Sequence, residues 1–86
     1  MAVLLRMGSM GLEVRYVQEV LNFLLQPDVP LRLDGIFGSR TRASVVAFQQ
    51  QAQLDPDGIV GPLTMQALAN ATLSSLFTLD TPSVDV

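Results

Sequence analysis

The sequence predicts an all-α fold, a small three-helix bundle containing two repeated Asp-Gly turn-into-helix units. Three observations predict it. First, Asp34-Gly35-Ile36-Phe37-Gly38-Ser39-Arg40-Thr41 recurs 23 residues later as Asp57-Gly58-Ile59-Val60-Gly61-Pro62-Leu63-Thr64. Second, apolar residues recur at helical spacing in the segments that precede and follow these turns. Third, Pro and Gly punctuate the chain where such helices would have to end. In each copy Asp-Gly suits a tight turn, because Gly tolerates positive φ and the Asp side chain can bond nearby backbone. The apolar pair that follows, Ile36-Phe37 or Ile59-Val60, is expected to enter the core. The second Gly, Gly38 or Gly61, then stands at the mouth of a helix whose first N–H groups need partners. Pro62 after Gly61 suits a first helical position.

The first helix is expected from Leu12 to Leu25, entered through Gly8-Ser9-Met10-Gly11 and ended by Gln26-Pro27-Asp28-Val29-Pro30. Val14, Val17, Leu21, Leu24 and Leu25 form its core stripe. Tyr16, Val20 and Phe23 widen the apolar arc to roughly 200°, at about 100° per residue. The second helix is expected from Ser39 to Ala52, with Thr41, Val45, Phe48 and Ala52 inward and Gln49-Gln50-Gln51 as a polar close. The third is expected from Pro62 to Ala71. A domain of residues 1–71 and a C-terminal extension of 72–86 follow from this reading. In the extension, Leu73-Ser74-Ser75-Leu76-Phe77 either prolongs the helix or folds back over it, and 81–86 reads as a tail. Residues 3–5 carry a weak signal for an extended piece.

Composition narrows the function. Eighty-six residues suffice for one small domain. There is no Cys, so disulfides are excluded, and no His. The net charge of −3 and the five cations, all Arg, argue against duplex nucleic acid as a partner. No apolar run is long enough to span a membrane. Ala2-Val3-Leu4-Leu5 before Arg6 is too short for the apolar region of a signal peptide, so the expected location is the cell envelope if exported, with the cytoplasm or carriage by a partner assembly as the alternatives.

The motifs carry a resemblance. Gly8, Gly11, Val14, Gln18 and Leu21, then Asp34-Gly35-Ile36-Phe37-Gly38 with Thr41, Val45 and Phe48-Gln49, then Asp57-Gly58-Ile59-Val60-Gly61-Pro62 with Thr64 and Leu68, resemble the peptidoglycan-binding domain family. The resemblance covers roughly residues 4–71. Val17 departs from the leucine usual before the glutamine of the first helix, Gln26 to Arg32 is a looser connection, and nothing beyond Ala71 has a counterpart. It implies a three-helix module of bacterial and phage cell-wall hydrolases that binds peptidoglycan, through its glycan or stem peptide, without a cofactor and without catalysis of its own.

The residues support the non-catalytic half independently. Without His or Cys there is no Ser-His-Asp triad, Cys-His pair or His-rich zinc site. Two carboxylates suffice to cleave a glycan, but Glu13 and Glu19 lie six apart on one helix and do not face each other. Asp55-Pro56-Asp57-Gly58 fails as a calcium loop, since it places Gln53 at the first ligand and Thr64 where a bidentate Glu belongs. No metal site is expected.

Gly35, Gly38, Gly58, Gly61 and Pro62 read as backbone chemistry, and Asp57, Thr41 and Thr64 as turn and helix-start residues. Candidate ligand residues are Asp34, Phe37, Arg40, Arg42 and Tyr16. Arg32, Arg40 and Arg42 are expected to cluster at the first Asp-Gly turn, because the second copy has Leu63 and Met65 in place of Arg40 and Arg42. Arg grips a carboxylate with two parallel hydrogen bonds, and stem peptides present carboxylates. Asp34 suits an amide or sugar hydroxyl, and Tyr16 a sugar face. The bland alternative is a solvated arginine face. The rival function is an adaptor in a phage-tail-like or secretion assembly, using the apolar face of the first helix with Leu73, Leu76, Phe77 and Leu79. A hydrolase or assembly protein is the partner these readings suggest, and oligomeric state is not legible.

Overall fold

A computed structural model describes residues 4–78. It contains three helices in order: α1, Leu12–Leu25; α2, Ser39–Gln51; and α3, Pro62–Thr78. α1 packs against both of the others. Its buried face carries Val14, Val17, Val20 and Leu21, which meet Phe37, Val45, Phe48, Val60 and Leu68 in one core. The inward stripe of α2 is as expected, with Thr41, Val45 and Phe48 buried and Ala52 packed against the cluster.

Each helix starts on a glycine whose carbonyl accepts the first intrahelical bond: Gly11 from Arg15 N–H, Gly38 from Arg42 N–H and Gly61 from Met65 N–H. α1 stops where Gln26 turns left-handed, at φ 46°, and donates its N–H to the Asn22 carbonyl. α3 continues past Ala71, where the sequence pattern faded, so the expected domain boundary falls within a helix. Its Thr72 hydroxyl donates to the Leu68 carbonyl one turn back. Leu79 and the tail segment 81–86 lie outside the described residues.

The segment before α1 joins the two repeats. Leu5 exchanges a pair of backbone hydrogen bonds with Val60, at 3.0 and 2.8 Å. A few residues on, Phe37 N–H donates to Ser9, Gly8 N–H to Phe37 and Gly11 N–H to Gly35. These bonds make two isolated antiparallel bridges, Leu5 with Val60 and Met10 with Ile36. Bridging requires extended backbone, in which neighbouring side chains point to opposite sides. That corrects the expectation for the apolar pairs. Phe37 and Val60 are buried, while Ile36 is 51% exposed and Ile59 only half-buried.

At Gly35 φ is +72° and a Cβ would stand 3.0 Å from the Gly11 carbonyl oxygen. Gly38 has ordinary φ and open space around it. Gly35→Ala is therefore expected to cost about 2–3 kcal/mol, from left-handed strain plus separation of the N-terminal bridge, and Gly38→Ala less than about 1 kcal/mol. Chemical denaturation of the two variants checks the contrast, and equal losses would refute this account of the turn.

Candidate functional site

The site is organised by two buried glutamines. Gln18 on α1 is 1% exposed. Its amide nitrogen donates toward Asp34 Oδ1 (3.1 Å), the Ile36 carbonyl (3.0 Å) and Thr41 Oγ1 (3.1 Å), and its oxygen accepts from Gly35 N–H (3.0 Å). Gln49 on α2 is equally buried and repeats the set with Asp57, the Ile59 carbonyl, Thr64 and Gly58 N–H. Each glutamine thus ties one helix to an Asp-Gly turn and to the third residue of the next helix. Two amide protons are shared over three acceptors, so the geometry constrains all three at once.

Asp34 and Asp57 complete the knots. Asp34 Oδ1 accepts from Ile36 N–H and Asp57 Oδ1 from Ile59 N–H, both at 2.9 Å. These backbone donors, and next the glutamine amides, hold both carboxyl groups below their ordinary 3.8. Partial desolvation opposes the shift, and Arg32 beside Asp34 and Arg42 beside Asp57 add to it. Thr41 and Thr64 serve the helix starts as acceptors for glutamine. α2 has no side-chain cap bond.

The connection from Gln26 to Leu33 is held by α1. Asn22 accepts from Leu31 N–H at 2.8 Å and donates to the Leu31 carbonyl at 3.0 Å, and Arg15 Nε donates to the Leu33 carbonyl. This anchored connection and the start of α2 enclose an open cleft of about 500 Å³ above Gln18 and Thr41. Arg32, Asp34, Ile36, Ser39 and Arg40 border it, with Pro30 and Leu31. Two cations against one anion make the cleft positive in a chain whose net charge is −3.

The expected ligand set divides here. Asp34 and Arg40 share the cleft. Phe37 is 1% exposed and belongs to the core, because the bridge with the N-terminal segment turns it inward, so it offers no ligand surface. Arg42 does not join Arg32 and Arg40. Its side chain lies over Gly58, with Nε only 2.8 Å from where a Cβ would stand, and its charge acts on Asp57. Tyr16 is 50% exposed but lies elsewhere, in an apolar groove of about 300 Å³ with Glu19, Val20, Phe23, Thr72 and Leu76. Helical spacing alone reads Gln49 as a closing polar residue and gives Asn22 no role, although Gln18 and Gln49 are among the residues that carry the family resemblance. Gln18 and Gln49 stand in the apolar phase of their helices, which was the available signal.

The sequence profile of the peptidoglycan binding domain matches residues 10–68, more than half of the chain and both knots. The chain belongs to that family. The peptidoglycan-binding domain is also similar to the N-terminal domain of SleB, at 30% identity and TM-score 0.74, covering 81% of this chain and 93% of that one. It is similar to the Burkholderia AP3 phage endolysin at 41% identity and TM-score 0.67, covering 77% of this chain and 24% of the endolysin. An uncharacterised protein of Kitasatospora aureofaciens is 55% identical over 42 residues, 49% of this chain, and the match spans 32% of that protein. This peptidoglycan-binding domain is thus a cell-wall binding module, and no helix among its described residues is long and apolar enough to cross a membrane.

Two predictions follow from the knots. Gln49→Leu leaves the Gly58 N–H and its neighbours unpaired in the interior and is expected to cost about 2–4 kcal/mol, against less than about 0.5 kcal/mol for the adjacent exposed Gln50→Leu. Urea titration of both variants tests this. Because the folded-state pKa values of Asp34 and Asp57 are depressed, their stabilisation is present above the ordinary 3.8 and is lost as pH falls through the folded values. Melting temperatures should therefore drop below about pH 4, and the Asp34→Asn/Asp57→Asn protein should show a shallower drop. An identical acid slope in both proteins would refute this source of the pH dependence.

Proposed function

We propose that this domain attaches to peptidoglycan through the cleft at the first Asp-Gly turn, and that it binds without catalysing a reaction. The observation that carries the reading is the asymmetry between two otherwise matching units. The first turn opens onto a cleft with Arg32 and Arg40 beside an anchored carboxylate. The second places Asp55 and Leu63 at the positions matching Arg32 and Arg40, and Arg42 lies across its turn. Asp34 is held ionised by the hydrogen bonds that build the turn, which suits a fixed acceptor and not a proton donor. Residence in the cell envelope, and service to a linked or separate hydrolase, fit the likeness to an endolysin of which this fold forms a quarter.

The adaptor reading is favoured by one feature, the apolar groove between Tyr16, Phe23 and Leu76. Wall binding accounts for more of the molecule, because the groove lacks charged convergence apart from Glu19.

Co-sedimentation with purified sacculi tests the proposal. Wild-type protein is expected in the pellet, and Arg32→Ala/Arg40→Ala protein, with unchanged melting temperature, in the supernatant. Arg42→Ala is expected to pellet like wild type. Pelleting of the Arg32/Arg40 variant at the wild-type level would overturn the cleft as the site. Failure of all three proteins to pellet would overturn wall binding itself.

A further inference from the structure

Resting on that reading of the cleft, we infer that its ligand is the free α-carboxylate end of an un-cross-linked stem peptide, with the N–H of the same residue given to Asp34, and that the glycan strand is not recognised there. Three observations on the cleft converge on a peptide end.

The first is the charge arrangement. Arg32 comes from the connection anchored by Asn22, and Arg40 from the first turn of α2. Both border the cleft with Asp34. A guanidinium presents paired N–H donors that match the two oxygens of a carboxylate and match a sugar hydroxyl poorly. The second is how Asp34 is used. The hydrogen bonds that build the turn, from Ile36 N–H and the Gln18 amide, both fall on Oδ1, so neither of them occupies Oδ2. It is an acceptor set beside cations. An amino-acid residue that ends in a free carboxylate carries the complementary pair, an anionic group and an N–H donor on one carbon.

The third is the lining. Sugar faces are held by aromatic rings, and among the described residues no aromatic ring borders this cleft. Phe37 and Phe48 are in the core, and Tyr16 and Phe23 face the separate groove. What the cleft offers instead is aliphatic: Ile36, half exposed because the Met10 bridge turns it outward, with Pro30 and Leu31. Such surfaces suit the methyl and methylene groups of short peptide side chains.

Cross-linking by transpeptidation breaks the amide bond to the donor stem's terminal residue, which leaves with its carboxylate, and joins the new end in an amide to the acceptor's side-chain amine. The donor thus loses the group that Arg32 and Arg40 would hold, and the acceptor's centre loses its ammonium. The cleft is therefore expected to favour loosely cross-linked wall. Two free ends of a stem peptide present the same chemistry: its C-terminal residue, with an amide N–H, and the unlinked amino-acid centre of a diamino-acid side chain, with an ammonium.

The test is amide chemical-shift titration of the ¹⁵N-labelled full chain with soluble fragments, beside the sacculus assay. The probes are a disaccharide tetrapeptide whose third residue is diaminopimelate, the same fragment with its terminal carboxylate as carboxamide, the same fragment N-acetylated on its free side-chain amine, and peptide-free glycan oligomers. The unmodified fragment is expected to shift residues 31–41 and to bind at least tenfold more tightly than one of the two modified fragments. Loss with the carboxamide assigns the peptide terminus, and loss on acetylation assigns the side-chain centre. Either supports the inference. Arg40→Lys, which keeps the charge and loses the fork, is expected to bind more weakly than wild type and more tightly than Arg40→Ala. Sacculi stripped of stem peptides by an amidase are expected not to pellet the protein.

Equal affinity for all three peptide fragments, or binding of the glycan oligomers with shifts at residues 31–41, would overturn the peptide-end assignment while leaving wall attachment standing. Intact sacculi that fail to pellet the wild-type protein would overturn the wall-binding reading beneath it.

Discussion

The rest of this structure depends on a primary amide buried where three chain segments meet. In each unit one glutamine side chain replaces the backbone partners that a turn and a helix start would otherwise take from water. Gln18 satisfies the Gly35 N–H, the Ile36 carbonyl and the Thr41 hydroxyl while bracing Asp34. A buried polar group without partners costs more than a formed bond contributes, so such a network is favourable only when complete. Here it is complete: among the described residues no buried side-chain nitrogen or oxygen lacks a partner. The glycines follow from the amide. Gly35 and Gly58 take positive φ because the turn must present its N–H to the glutamine oxygen and its following carbonyl to the glutamine nitrogen. In a chain of 86 residues, with no disulfide and a modest core, two such knots do the specifying that a larger apolar interior does elsewhere.

The knots are alike, but the segments feeding them differ in length, and the difference creates the cleft. Gln18 lies 16 residues before Asp34, whereas Gln49 lies 8 before Asp57. The added residues of the first connection cannot be absorbed by a turn. They leave α1 through the left-handed Gln26, pass out to Val29, and return to Leu31, where Asn22 accepts and donates as a second backbone would. Pro30, Leu31 and Arg32 come to border the cleft in this way. In the second unit the short connection passes straight from Leu54 to Asp57, and Arg42 lies over the turn. One motif used twice has become a structural joint at one end and a joint bordered by a cleft at the other.

Much of this was legible, and the failures have physical reasons. The helices of the first two segments were readable to within a residue because their apolar spacing and their Gly and Pro punctuation agree. The Asp-Gly repeats were readable because turn chemistry is local. Gln18 and Gln49 were harder, since glutamine is a good helix former that normally points to water. Their unequal distance from the turns also hides them as a fixed motif. Ile36 and Phe37 could not be told apart without the N-terminal bridge, a contact between residues far apart in sequence. The arginines were grouped by proximity along the chain, but Arg40 and Arg42 leave a helix about 200° apart, at about 100° per residue, and so serve different turns. The end of α3 stays open between prolongation and folding back in the sequence because Ser74-Ser75 weakens the pattern, and the structure takes the prolonged form, with Leu76 bordering the groove beside Tyr16 and Phe23.

Under the proposed reading of the cleft, a division of labour inside Asp34 lets a fold this small carry a binding surface. One carboxylate oxygen is committed to the turn and the glutamine, and both commitments are indifferent to what occupies the cleft. The other residues that give the cleft its charge, Arg32 and Arg40, are exposed and make no hydrogen bond on which the knot depends. Fold and the proposed recognition therefore meet at a single group and are otherwise separable. The second unit illustrates the separation, because Leu63 and Asp55 stand at the matching positions and the knot around Gln49 is unchanged. Under the proposed reading, exchange of those surface positions would alter charge and ligand preference at little cost to stability, since exposed ion pairs contribute little to it. The arrangement sets a polar interior, in which each lost bond strands a partner, beside a rim whose positions already differ between the two units.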